Sequence, residues 1–298
     1  MKFKESRTLD YIILTIALVN VSAASILVRL SAVHGFVAAS WRLIIGAILT
    51  IAILTLYGRG EKLQKPGLKE VVYMVISGVS LALHFGLWMW SLQHLNVGPS
   101  VTIVDGYPAL LAVIGTLFFK ERYSIKEYSG IGLTFAGVSL LSIESFREGV
   151  APPGGDPLLG SILAFLGMIA VAIYFTIGKY IRVNVDTITY TGYVYSSAAL
   201  VSLVMVYMIG EPMLGYPYES YFYLLLLGTV PMLGGHTLLN YLLKRMKLAA
   251  VTAPVITEPI VSSILAYILF KEYLSPYIII YMAITIVGIA LVLSGGEE

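Results

Sequence analysis

The 298-residue chain is 58% hydrophobic and 12% charged, has no cysteine, and carries a formal charge of +2. Soluble domains carry about 25% charged residues, so 17 acids and 19 bases are too few to cover a soluble exterior, and most of the chain is solvated by lipid. The small, scattered charge argues against a nucleic-acid partner, and the lack of cysteine excludes disulfides, a thiolate nucleophile and cysteine-ligated metal.

A helix crossing a hydrocarbon layer about 30 Å thick needs roughly 20 mainly apolar residues. Ten such runs follow one another, near residues 10 to 29, 35 to 57, 69 to 92, 97 to 119, 124 to 143, 157 to 180, 186 to 209, 219 to 243, 248 to 270 and 275 to 294. They are continuous, unlike the alternating segments of about ten residues that build a transmembrane barrel. The predicted fold is therefore an all-α integral membrane protein with ten transmembrane helices. The first run follows Lys2, Lys4 and Arg7 as a secretory signal does. It is longer than a signal core and has a counterpart later in the chain, so it is expected to stay as an uncleaved first helix. Between spans, the stretch from Tyr57 to Gly67 holds Gly58, Gly60 and Pro66, and residues 144–156 read as a polar, turn-rich linker. No loop is long enough for a folded soluble domain, and no GxxxxGK[ST] occurs, so ATP-driven pumping by this chain alone is not expected.

Fifteen of the 19 bases fall on the side that holds the N-terminus. Arg29, Arg147 and Lys271 fall on the other, and Arg42 lies within a span. This asymmetry puts both termini in the cytoplasm of a multi-pass protein of the plasma membrane.

Residues 117 to 121, Leu-Phe-Phe-Lys-Glu, read like residues 268 to 272, Ile-Leu-Phe-Lys-Glu, at an offset of 151. The same offset pairs Pro108 with Pro259, Ser124 with Ser275 and Gly137 with Gly288, and carries the five early spans onto the five late ones. The expected organisation is a first five-helix repeat in 1–143, an extracellular linker in 144–156, and a second repeat in 157–298. Five spans is an odd number, so the second repeat enters the membrane from the opposite side. Such an inverted 5+5 repeat permits two mirror-related states, one open to each side.

Ionisable groups within spans ask for a partner or a watered site. Asp105 and Glu258 lie near the middle of the fourth and ninth spans, and Arg42 lies in the outer half of the second. One account is a fixed buried ion pair that sets helix register. The other starts from two acids facing one arginine: an uncompensated, desolvated carboxylate takes up and releases a proton near neutrality, which makes Asp105 and Glu258 the proton-coupling candidates. Pro108, beside Tyr107, and Pro259 are expected to kink the spans that hold these acids, with Pro254 a turn before Pro259. His84 has Trp88 one turn on, and His236 has Asn240 one turn on, so each pair shares a helix face. The two histidines are expected at opposite depths, toward the outer end of the third span and the inner end of the eighth. Interhelical hydrogen bonds suit them better than a metal, for which no ligand pattern exists. Asn20 is a further candidate, and Lys179 is expected to snorkel toward the membrane surface. Gly130, Gly132 and Gly137, with Ala283 and Gly288 at matching spacing, give the fifth and tenth spans small-residue faces that serve either an internal contact or a homodimer.

The chain resembles the EamA type of the drug/metabolite transporter superfamily over essentially its whole length. The resemblance is carried by Pro108 with the Ala-Leu-Leu-Ala run after it, Phe119-Lys120-Glu121 and the glycines from Gly130 to Gly137. The second copy runs from Pro259 to Phe270-Lys271-Glu272 and Gly288-Ile289-Ala290-Leu291, and Ser40-Trp41-Arg42 is similar to the family's arginine-containing second helix. It implies a secondary transporter, often an exporter, of small metabolites such as amino acids, working by alternating access around a central cavity between the repeats. It also implies dimer contacts through the fifth and tenth helices and a structural role for Glu121 and Glu272. Arg42, His84, Trp88, Asp105, Tyr107, His236, Asn240 and Glu258 form the expected substrate-binding set, with Arg42 receiving a carboxylate and an acid receiving an amine. No cofactor is expected; the partners are a small-molecule substrate and the bilayer. A uniporter or channel-like facilitator is the competing reading. An intramembrane enzyme lacks a nucleophile or metal constellation.

Overall fold

Lipid offers no hydrogen bonds to the backbone, so an apolar run must close them within itself. The computed structural model describes residues 2–57, 66–118, 122–245, 251 and 258–294. Among these, every regular element is helical. In chain order they are α1 (Lys2–Ser22), α2 (Ala24–Ser31), α3 (Gly35–Tyr57), α4 (Leu68–Ser91), α5 (Val97–Val104), α6 (Tyr107–Phe118), α7 (Ile125–Glu148), α8 (Pro157–Ile181), α9 (Thr187–Ile209) and α10 (Tyr218–Pro231). A π-helical turn (Met232–Thr237), α11 (Leu238–Leu242), α12 (Glu258–Phe270) and α13 (Pro276–Leu293) complete them.

Nine helical stretches among the described residues are long and apolar enough to cross a membrane, from Thr8–Ser31 to Pro276–Leu293, and they match nine of the predicted spans. The remaining predicted span, 248 to 270, is represented by Val251 and the 13 residues of α12. Pro254 and the Phe119-Lys120-Glu121 motif lie outside the described residues. Large apolar side chains such as Ile48, Leu56, Ile143 and Leu200 are exposed along these helices, where lipid rather than water covers them. Hydroxyls within the spans bond back to their own helix, as Thr102 does to the Gly98 carbonyl (2.8 Å) and Thr134 to the Gly130 carbonyl (2.9 Å).

Three expected spans are interrupted. The first divides at Ala23 into α1 and α2, and α2 ends on Ala32 in the left-handed conformation (φ 51°). The fourth divides at Asp105-Gly106, so Pro108 is not mid-helix but the second residue of α6, where its missing N–H costs nothing. Pro259 is the second residue of α12, and the residues before Glu258 lie outside the described residues. The eighth contains the π turn. The helix before the linker runs on to Glu148 and stops at Gly149 (φ 65°), so the turn-rich stretch begins five residues later than its composition suggests.

The chain clusters into two compact units, Met1–Gly86 with Ile173–Met246, and Leu87–Ala172 with Lys247–Glu298. Each draws on both halves of the sequence. In the first, α3 packs along α9, α10 packs on α2 and α3, and α1 lies against the π turn. In the second, α5 packs on α12 and α7 packs along α13, around a core of Leu95, Ile103, Val138, Leu141, Ala164, Ile278 and Met282.

Gly130, Gly137 and Gly288 of the small-residue faces serve the internal contact between α7 and α13. A Cβ on Gly137 would stand 2.8 Å from the Thr285 nitrogen, and one on Gly288 would stand 2.6 Å from the Thr134 nitrogen. A Cβ on Gly130 would stand 2.7 Å from the Gly288 carbonyl and 2.8 Å from the Val292 nitrogen. Contact numbers rise along one helix as they fall along the other, so the two run antiparallel. The Gly137 to Thr285 contact also becomes the Gly288 to Thr134 contact when the two copies are exchanged at the offset of 151. Ser124 and Ser275, paired by that offset, are both N-caps: each accepts from the backbone N–H three residues on (3.3 Å).

Candidate functional site

The first unit holds a buried cluster built from its inward helix faces. Arg42 on α3 is fully buried, its guanidinium carbon 3.9 Å from the centroid of the Phe85 ring on α4. Such stacking covers one face of the cation and leaves its donors in the ring's periphery. The Phe85 ring lies 5.0 Å from that of His236, and His84 lies 6.4 Å from it. Tyr174 and Phe175 on α8 approach His236 to 6.2 and 6.5 Å. The Asn240 amide donates to the Tyr174 hydroxyl and to the His236 carbonyl (2.8 Å). Tyr195 on α9 pairs with Thr237 (3.1 Å), and Tyr190 pairs with Ser77 (2.7 Å).

With both amide hydrogens engaged, Asn240 keeps its Oδ1 as an acceptor. Neither Asn240 Oδ1 nor His236 Nδ1 has a hydrogen-bond partner among the described residues, although both side chains are buried. Buried polar atoms are paired in the great majority of cases. Two open ones, one turn apart on the same face, are what a ligand would satisfy.

The π turn makes this face. Pro231 brings no N–H, Gly234 and Gly235 lie where any Cβ would meet Asn20 or Val21 of α1 at 2.9 Å or less, and the Thr237 hydroxyl reaches the Met232 carbonyl five residues back (3.3 Å). One inserted residue rotates everything after it by about 100°. Asn20 itself bonds to the Ile16 carbonyl and flanks Gly234. The expected separation of His84 and His236 is corrected: their ring centroids lie 6.4 Å apart. Lys179, half-buried near the end of α8, donates its ammonium to the Leu243 carbonyl (3.0 Å) at the end of α11.

The second unit gathers the two acids. Asp105, buried, ends α5 at the helix break, and its Oδ2 has no hydrogen-bond partner among the described residues. Glu258, buried, begins α12, Tyr107 begins α6, and the three groups lie within electrostatic reach of one another. Trp88 is buried in the same unit. Glu272 accepts from the Val97 N–H (2.8 Å) and so caps α5, a structural task. Among the described residues no group of three or more potential ligands could hold a metal.

Phe85, Tyr174, Phe175, Tyr190 and Tyr195 are not singled out by the sequence, because aromatic residues in apolar spans do not stand out by hydropathy. The Pro231, Gly234-Gly235 sequence was the available signal for the π turn.

The sequence profile of the EamA-like transporter family matches the chain twice, over residues 10–143 and 158–294. The uncharacterized transporter YvbV of Bacillus subtilis (strain 168) is 28% identical over 126 residues, 42% of this chain and 40% of that protein. An uncharacterized transporter of Archaeoglobus fulgidus is 26% identical over 153 residues, 51% of this chain and 50% of that protein. The chain spans about half the length of the curated relatives it matches. A solved crystal structure covers 98% of this chain and 99% of its own with a TM-score of 0.68; at 18% identity this shows a shared fold alone.

Proposed function

Since this chain belongs to the EamA-like transporter family, whose members are multi-pass membrane proteins usually of the plasma membrane, we propose that it is a secondary transporter, not an enzyme, that exports a small metabolite such as an amino acid by alternating access. The observation that carries the reading is the buried cluster of the first unit. There a cation, five aromatic rings, two histidines and two open hydrogen-bonding atoms meet within the spans. A carboxylate suits Arg42, and an N–H suits Asn240 Oδ1.

Two further parts of the reading have support. The antiparallel α7 and α13 contact, which maps onto itself under the repeat offset, supports an inverted repeat of 1–143 and 157–298, and the asymmetry of the bases supports cytoplasmic termini. The placement of Asp105 and Glu258, both buried and within electrostatic reach of one another, supports proton coupling, because one proton relieves the repulsion of two buried carboxylates. A homodimer would pack on faces other than the Gly130 and Gly288 contact, which is already filled from within. The test is a thermal-shift panel of the twenty proteinogenic L-amino acids against the purified protein. At least one is expected to raise the melting temperature in the wild type and to lose that effect in Asn240→Ala and Arg42→Gln. No shift with any of them would refute the amino-acid reading.

A further inference from the structure

Arg182 follows α8 directly, outside the spans, yet is only 2% exposed. An arginine beside a membrane surface would ordinarily keep its five donors in water. Here Nε donates to the backbone carbonyl of Asn240 (3.0 Å), Nη1 to the Val185 carbonyl, and Nη2 to the Thr187 hydroxyl. Burial pulls Arg182 below its ordinary pKa, and Asp186 nearby opposes that shift. The same end of α11 receives Lys179 on the Leu243 carbonyl. Two cations from the end of α8 thus meet the carbonyl end of α11, where the helix dipole favours them.

This attachment matters because α11 has only five residues between the π turn and these bonds. It is the end of the 25-residue span Tyr218–Leu242, beyond the π turn, and the carbonyls of its last turn, which no N–H of the helix reaches, are taken by Arg182 and Lys179. The residue Arg182 grips is Asn240, whose side chain carries the open acceptor.

We propose that Arg182 is a positioning residue: by holding the Asn240 carbonyl it fixes α11 so that Asn240 Oδ1 is presented to an N–H of the transported ligand. This rests on the reading of the first-unit cluster as the ligand site. Arg182 touches no ligand itself and acts through Asn240.

The native chain has no cysteine, so Asn240→Cys supplies a single thiol whose reaction with N-ethylmaleimide reports whether position 240 stays turned inward, with no ligand needed. Adding Arg182→Gln is expected to speed labelling about tenfold or more through local release of α11. The rate at Ser40→Cys, equally buried in the same unit and bonded to Ser202, should stay unchanged. Arg182→Lys, which keeps the charge but not the fork, should give a smaller acceleration, and it carries the comparison if the Gln variant does not fold. Equal acceleration at 240 and 40 would mean that Arg182 only stabilises the unit, and no acceleration at either would mean that α11 is held without it; each overturns the proposal. The twenty L-amino acids, tested by thermal shift on Arg182→Gln and Asn240→Ala, form the second arm. A shift weakened by the first and abolished by the second supports the proposal. A shift that survives Asn240→Ala refutes the ligand site and with it Arg182's role in presenting a ligand, whatever the labelling shows about α11.

Discussion

Gly130 and Gly132 sit on one helix, α7, two residues apart, and the structure gives them opposite surroundings. A methyl on Gly130 would press on the Gly288 carbonyl at 2.7 Å and the Val292 nitrogen at 2.8 Å, both backbone atoms that no rotamer change can move. A methyl on Gly132 meets nothing within 4 Å. Replacing Gly by Ala inside a helix gains about 0.5–1 kcal/mol from lost backbone freedom. Forcing a methyl into a packed contact costs about 1–3 kcal/mol. Gly132→Ala is therefore expected to be neutral or stabilising, and Gly130→Ala to be destabilising. Their difference equals the packing cost, about 1–3 kcal/mol, or a factor of about 5 to 150 in the unfolding equilibrium. Unfolding in mixed detergent micelles, followed by circular dichroism, measures both variants side by side. Equal effects at the two positions would refute the close α7 and α13 contact and the antiparallel register read from it.

Ser124→Ala and Ser275→Ala each remove the same N-cap, and each should cost about 1 kcal/mol in that unfolding assay; a large loss at one and none at the other would break the equivalence of the two helix starts. Uptake driven by a pH gradient should fall away in Asp105→Asn and Glu258→Gln, and a rate that remains pH-dependent in both variants would remove the acids from coupling. Reporter fusions after Glu298 and within the turn after Gly149 should report opposite sides of the membrane, cytoplasmic and external; the same side for both would refute the inverted topology.

Much of the architecture was legible because it rests on sums over many residues. Nine spans emerge from transfer energies that accumulate over about 20 positions, so single polar residues do not hide them. Ser124 and Ser275 are legible as a pair through the shared offset, and their common role as N-caps comes from the structure. Glu272 was legible as structural, and the structure gives the reason: it caps α5 through the Val97 N–H. The site was legible in membership more than in arrangement. His236 and Asn240 were placed on one face, and they share it, but the π turn that aims the face depends on one extra residue in a helix and leaves no periodicity to read. Counting along each span separately puts His84 and His236 at opposite depths, and it carries no information on which side chains of neighbouring helices meet, as these two rings do at 6.4 Å. Lys179 and Arg182 read as topological markers because their bonds to Leu243 and Asn240 run to carbonyls some 60 residues away.

The central claim is that the chain carries its ligand by alternating access instead of opening a pore. Counterflow in proteoliposomes addresses it most directly: vesicles are preloaded with an unlabelled amino acid that shifts the melting temperature, and entry of the labelled compound is followed. A carrier must return its site across the membrane, so preloading should accelerate entry and produce a transient accumulation that Asn240→Ala abolishes. Entry at the same rate with and without preloading would contradict the account and favour a channel-like facilitator.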